Sequence, residues 1–304
     1  MPRVHELPCD RRTLHGHFSR DLQPVLEIEP GDTLRTSTLD AGWAGFTGAR
    51  DPELDKGHAM IGPIAVRGAE PGDALTVRIV RLRPAPTAWN GAGGWKSPVN
   101  DHLGLSEPEA ERLVVAWTLD AAAGVARSEH GWEVPLAPFL GVIGVAPAGP
   151  GVHSTTPPRR VGGNIDCREL VAGSTLTLPV EVAGGLLSFG DGHAAQGDGE
   201  VSTLALEVAF EEVELAVGLV KGGAPEWPQA DTPAGFMTFG SSPDLGDAML
   251  IALEEMVKHL EAKLNLERRL ALALASIVVD LRVTQVVNQT MGVHALLPPG
   301  RLRA

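Results

Sequence analysis

Glycine and proline recur along the whole chain, 36 of one and 24 of the other, and this punctuation limits the fold more than any other feature. Proline has no N–H to give a helix, and glycine costs a helix about 1 kcal/mol relative to alanine. A chain interrupted this often is built from short strands joined by turns. The segments between the breaks agree. PVLEIEPGDTLRTSTLD alternates apolar and polar residues about a Pro-Gly-Asp turn, and IGPIAVRGAEPGDALTVRIVRLRP repeats the arrangement, as half-buried strands require. LVVAWTLDAAAGVARS, WEVPLAPFLGVIGVAPAG, TLTLPVEVAGGLLSFGDG and EVSTLALEVAFEEVELAV continue it. In the last of these, Glu207, Glu211 and Glu212 read as a solvated face. Residues 84–106, rich in Gly, Trp, Asn and Pro, read as a loop.

The texture changes after Ala230. Ser242 is the expected N-cap of a helix, with Pro243 at its first position and Asp244 in its first turn. Leu245, Ala248, Met249, Ala252, Met256, Leu260 and Leu264 then follow at helical spacing. LERRLALALASIVVD reads as a second helix and LRVTQVVN as a final strand. No low-complexity linker sets these elements apart. The expectation is a mainly β fold: residues 1–230 form a β-rich sandwich carrying the site, and residues 231–304 form an α+β portion packed on it.

A net charge of -13 argues against a nucleic-acid partner, because the chain lacks the positive surface that phosphates require. No stretch reaches the ~18 uninterrupted apolar residues of a membrane span, and the first residues lack the apolar core of a signal peptide. Cys9 and Cys167 show neither a disulfide framework nor zinc-finger spacing. These features suggest a cytoplasmic protein without membrane partners. The exposed edges of a sandwich make a homodimer the default assembly.

The chemistry concentrates in LLSFGDGHAAQGDGEV, residues 186–201. Carboxylates and a neutral imidazole are ligands that zinc accepts, with calcium favoured where oxygens dominate. In an extended chain Gln196, Asp198 and Glu200 share one face, as do Asp191 and His193. Two converging edges of a hairpin-like loop would then meet around a cation. A second cluster, HSTTPPRRVGGNIDCREL, places Gly163, Asn164 and Asp166 together, an arrangement suited to holding a carbonyl oxygen as it gains charge. GDG alone also makes surface hairpins, and Asn and Asp hold loops through their own side chains. Cys167, beside Asn164 and Asp166, reads as a buried inert thiol.

Seven ordered segments resemble the acetamidase/formamidase family: HFSRDLQPVLEIEPGDTL, GPIAVRGAEPGDALTVRI, FLGVIGVAPAG, GGNIDCREL, AGSTLTLPV, GGLLSFGDGHAAQGDGEV and DLRVTQVVNQTMGVHALLP. GDGHAAQGDGE is the most specific block, and the chain looks more like the acetamidase-like branch. The resemblance implies a jelly-roll-like β sandwich with an α/β portion, and metal-dependent hydrolysis of short aliphatic amides to a carboxylate and ammonia. Its acidic and imidazole positions fall on Asp166, Asp191, His193, Asp198 and Glu200. We therefore expect His193, Asp191, Asp198 and Asp166 to hold a divalent metal, zinc first and calcium second. Glu200 is the expected proton carrier, with Asn164 at the oxyanion. Gly163, Gln196 and His58 would line a small pocket rimmed by residues 89–95. The competing readings are a hydrolase of another C–N bond and a non-catalytic, calcium-stabilised binding module.

Overall fold

The computed structural model describes residues 2–46, 49–106 and 112–302. It is mainly β, with 39% strand and 13% helix. Among the described residues no helix is long and apolar enough to cross a membrane.

The longest strands, Ala74–Pro84 and Phe210–Val220, carry the clearest alternation and pair antiparallel from Phe210 opposite Pro84 to Val220 opposite Ala74. They lie within a nine-stranded sheet. Its order is Val4–Glu6, Thr33–Thr36, Phe210–Val220, Ala74–Pro84, Thr175–Pro179, Gln229–Thr232, Gly235–Ser242, Thr290–Leu297 and Asp280–Asn288. A six-stranded sheet contains Gly162–Asn164, Phe139–Gly144, Leu187–His193, Met60–Val66 and Leu14–His15 in that order, with Leu26–Ile28 also paired to Met60–Val66. Leu75, Val77, Leu215 and Val217 of the first sheet join Ile61, Ile64, Leu140 and Phe189 of the second in one buried cluster. Burying these apolar faces against each other is the main stabilising contribution to such a layered fold. A four-stranded sheet, in the order Glu133–Pro135, Val125–Ser128, Leu113–Asp120 and Thr87–Ala92, extends from it.

The two EPGD segments make the same turn. Gly31 and Gly72 adopt φ of 97° and 94°, a conformation glycine enters without steric cost. In each turn the following aspartate accepts from the backbone N–H three residues earlier, Glu29 to Asp32 at 3.1 Å and Glu70 to Asp73 at 2.8 Å. Shared turn chemistry accounts for the echo.

Three local expectations are revised. Residues 84–106 are not one loop, since Thr87–Ala92 pairs with Leu113–Asp120 and Pro98–Leu103 is a short helix capped by Ser97. The first long helix is Leu245–Leu264, and its N-cap is Asp244, which accepts from the Asp247 N–H at 3.0 Å. Ser242 is the last residue of the preceding strand, where sheet pairing with Met291 takes precedence over capping. The chain also ends its sheet with Thr290–Leu297, beyond the expected last strand. The helices Leu245–Leu264 and Arg268–Val278 pack Ala248, Ala252, Met256, Leu260, Ala271 and Ala275 against Val293 and Ala295. The boundary placed at residue 230 falls inside the strand Gln229–Thr232, so both portions share one sheet.

Candidate active site

The strand Leu187–His193 is buried on both faces, and its GDGH segment divides the work between them. A Cβ on Gly190 would stand 2.2 Å from Ala59 O, and one on Gly192 2.3 Å from Val208 O. These glycines let neighbouring backbone approach, while Asp191 and His193 project to the other side. The segment is therefore interior sheet and not a hairpin tip, which corrects the loop expected here. Below it lies Gly141, on the adjacent strand Phe139–Gly144. A Cβ there would meet Asp166 Oδ1 and Asp191 Oδ2 at 2.4 Å and His193 Cε1 at 2.9 Å.

Asp166 follows the strand Gly162–Asn164, and Glu200 and Glu207 come from the chain leading into Phe210–Val220. The donor atoms of Asp166, Asp191 and His193 lie within 4.8 Å of one another, as do those of His193, Glu200 and Glu207. His193 Nε2 stands 3.3 Å from Asp191 Oδ1 and 3.4 Å from Glu207 Oε1, and its Nδ1 is 3.8 Å from Asp166 Oδ1. All five residues are buried. Asp166, Asp191 and Glu200 have φ of 51°, 59° and 46°. Non-glycine residues in this region cost about 1 kcal/mol or more each, and such strain gathers at functional sites.

Supporting contacts fix the cluster. Asn288 Nδ2 donates to Asp166 Oδ2 at 2.5 Å, Gln196 Nε2 donates to Asp166 O at 2.7 Å, and Ala205 N–H donates to Glu207 Oε1 at 3.0 Å. Yet Asp166 Oδ1, His193 Nδ1, Glu200 Oε2 and Glu207 Oε2 are buried without any hydrogen-bond partner. Buried polar atoms are nearly always paired. These unpaired atoms, all carboxylate oxygen or imidazole nitrogen, belong to two groups that share His193, and each group offers donors that a divalent cation accepts. The residues present therefore fit a metal ion.

The electrostatics agree. Burial and the charge of Asp191 push Asp166 up to about 7. Burial pushes Glu207 up to about 8 against the pull of His193. Burial and the charge of Asp166 raise Glu200 well above the usual carboxylate range. For Asp191 burial is outweighed by His193 and His58, which hold it low. His193 is held well above the ordinary imidazole value because Asp191 and Glu207 outweigh its burial. Protons or a cation must balance this many buried acids.

The structure thus brings together four of the anticipated residues, Asp166, Asp191, His193 and Glu200. Asp198 stands apart: it is one-third exposed and pairs with Arg168 Nε at 2.9 Å. Glu207, read from the sequence as solvated, is buried inside the cluster, which corrects that reading. Asn164 donates from Nδ2 to Thr156 O at 3.2 Å, and its buried Oδ1 has no partner. Cys167 is buried, and burial with the nearby charge of Glu169 pushes its thiol well up, as for an inert cysteine.

Glu200 and Gln196 line a cavity of ≈ 540 Å³ that opens beside the cluster. It is larger than the small pocket expected. Neither Gly163 nor His58 lines it: Gly163 faces the Phe18 ring and His58 Nδ1 meets Thr155 Oγ1 at 2.8 Å. Of the expected rim, Asn90 contributes and Trp89 and Trp95 do not.

The profile of the acetamidase/formamidase family matches residues 4–152 and 148–299. The chain is 28% identical to a formamidase of Methylophilus methylotrophus, over 70% of this chain and 66% of that protein. It is 27% identical to an acetamidase of Mycolicibacterium smegmatis, over 72% of this chain and 69% of that protein. The match thus spans about two thirds of the length of these curated relatives. The crystal structure of an acetamidase from Bacillus halodurans superposes with a TM-score of 0.85 at 28% identity, covering 96% of this chain and 97% of that one.

Proposed function

This chain belongs to the acetamidase/formamidase family, and from that membership we propose that it hydrolyses carboxamides to a carboxylate and ammonia at the buried acid–imidazole cluster. The observation that carries the reading is the pair of buried acid–imidazole groups sharing His193, with unpartnered atoms on Asp166, His193, Glu200 and Glu207, beside a cavity reached by Glu200. Asp166, Asp191 and His193 would hold a divalent metal, zinc by the mixed carboxylate–imidazole set. Such an ion, when bound, supplies positive charge that ionises water near neutral pH and polarises a carbonyl.

The chain's own groups perform the remaining work. In the overall reaction water adds oxygen to the carbonyl carbon, the C–N bond breaks, and nitrogen leaves as ammonia carrying a proton from the water. Glu200 is the cluster member that also lines the cavity, and burial gives it the raised proton affinity of a proton carrier. It takes the proton from water and delivers it to the amide nitrogen, which leaves poorly unless protonated. Gln196 lines the cavity and is held through Nε2 by Asp166 O, and in this reading it positions the substrate amide. Asn164 is the proposed support for the developing oxyanion. The assembly in this reading is a cytoplasmic homodimer, checked by light scattering and by fractionation.

Glu200→Gln should preserve the melting temperature and the metal content while ammonia release falls by at least a hundredfold. Full activity in that variant would remove Glu200 from proton transfer. Chelation should abolish hydrolysis and zinc should restore it; hydrolysis indifferent to chelation would remove the metal.

A further inference from the structure

The cavity is larger and more apolar than the smallest amides require. At ≈ 540 Å³ it lies within the range of roughly 300–1,000 Å³ typical of sites for much larger ligands. Acetamide carries a single methyl group beyond its carboxamide. From Glu200 and Gln196 the wall continues over Ala195, Leu204, Leu206 and Trp117. Protein interiors otherwise pack densely, so an apolar hollow beside the reactive groups needs an occupant to shed its water.

Beyond Glu200 and Gln196, the charged groups on the wall are engaged in ion pairs. Arg168 Nε lies 2.9 Å from Asp198 Oδ1 and 3.3 Å from Glu169 Oε1. Arg282 Nη1 donates to Glu169 Oε1 at 2.9 Å, and Trp117 Nε1 donates to Asn90 Oδ1 at 2.9 Å. Among the described wall residues beyond Glu200, no charge is left unpaired to hold an ionic tail. Binding a charged group would require breaking one of these pairs.

We infer that the cavity is an acyl-binding site, and that the substrates are amides whose acyl group is apolar and substantially larger than acetyl. The inference rests on the amidase reading above and names its substrate class. The carboxamide sits between Glu200 and Gln196, and the acyl chain lies along Ala195, Leu204, Leu206 and Trp117. Each methylene withdrawn from water contributes about 0.8 kcal/mol, which is about fourfold in binding. Because this contact is the same before and during reaction, the gain appears in KM.

The test is a series of linear amides from acetamide to hexanamide, followed by ammonia release. kcat/KM should rise about fourfold per methylene, carried by KM. Ala137→Trp fills the hollow from an exposed wall position whose backbone N–H bond to Ala194 O any residue can make. It should lower the hexanamide-to-acetamide ratio at least tenfold. A flat or falling series, or a ratio unchanged by Ala137→Trp, overturns the acyl site while leaving the amidase reading standing. If the protein hydrolyses no amide, the amidase reading falls and calorimetric titration of the same protein decides the cavity separately. Hexanamide binding at least tenfold tighter than acetamide, and lost in Ala137→Trp, sustains it; equal affinities end it.

Discussion

Replacing Gly141 by alanine tests whether the cluster is as tightly constrained as its geometry implies. The glycine is absent from the positive-φ positions, so the backbone itself accepts alanine and any effect comes from the added methyl group. That methyl would sit 2.4 Å from Asp166 Oδ1 and Asp191 Oδ2, whereas real Cβ atoms keep at least 3.0 Å from such neighbours. Each oxygen must therefore retreat by 0.6 Å or more. Neither has open space behind it: both residues are buried, and Asp166 Oδ2 is tied to Asn288. Forced overpacking of this kind costs about 1–3 kcal/mol, or roughly 2–10 °C in melting temperature for a domain of this size. Displacement of reactive groups approaching an ångström costs about a hundredfold in turnover. Calorimetry, metal analysis and ammonia release should therefore show a folded protein with reduced metal content and about one-hundredth of the activity. Gly197→Ala is the control for stability and metal content, because its added Cβ meets nothing within 4 Å. A Gly141→Ala protein that matches the parent in melting, metal and turnover would refute the reasoning.

Two further outcomes follow. Asn288→Ala removes the side-chain donor to Asp166 Oδ2 and should cost about 1–3 kcal/mol, seen as a lower melting temperature with reduced activity; unchanged values in both would show that the contact is dispensable. Acid should weaken the fold through His15, which burial pushes down to about 4. Its Nδ1–H donates to His17 O and its Nε2 accepts from Ser188 Oγ. The folded protein keeps this imidazole neutral while the unfolded chain protonates near ~6.5. Stability is therefore full above that pH and falls as pH drops from there toward 4, by about 3 kcal/mol. His294, also pushed down to about 4 by burial, adds a parallel loss. Melting curves across this window should slope less steeply for His15→Asn; an identical slope would exclude His15 as a source.

Much of the architecture could be read from periodicity, because strands with one buried face must alternate. Where sheet pairing competed with a local signal, the local signal lost. Ser242 and Pro243 look like a helix start, yet Ser242 completes a strand and capping passes to Asp244. Thr87–Ala92 was hidden by its glycine and asparagine and becomes a strand only through its partner Leu113–Asp120.

The site divided in the same way. Asp191 and His193 share a face because the strand alternates. Glu200 departs from Asp198 because its positive φ breaks the extended run assumed from Gln196. Glu207 shares the parity of Glu211, which suggested one continuous solvated strand. The actual strand begins at Phe210, and the chain before it crosses to make isolated bridges with Trp89 and His193. No local pattern encodes that crossing. Asn288 is 122 residues from the aspartate it supports, a distance that no spacing argument reaches.

That long-range bond has a consequence for biosynthesis. The ribosome delivers Asp166, Asp191, His193, Glu200 and Glu207 well before the strand Asp280–Asn288. While translation continues, Asp166 lacks its amide donor, and the nine-stranded sheet lacks both its edge strand and that strand's neighbour, Thr290–Leu297. A nascent polypeptide consequently displays the acids without the scaffold that orders them. The bond that steadies Asp166 can therefore form only after Asn288 has been made.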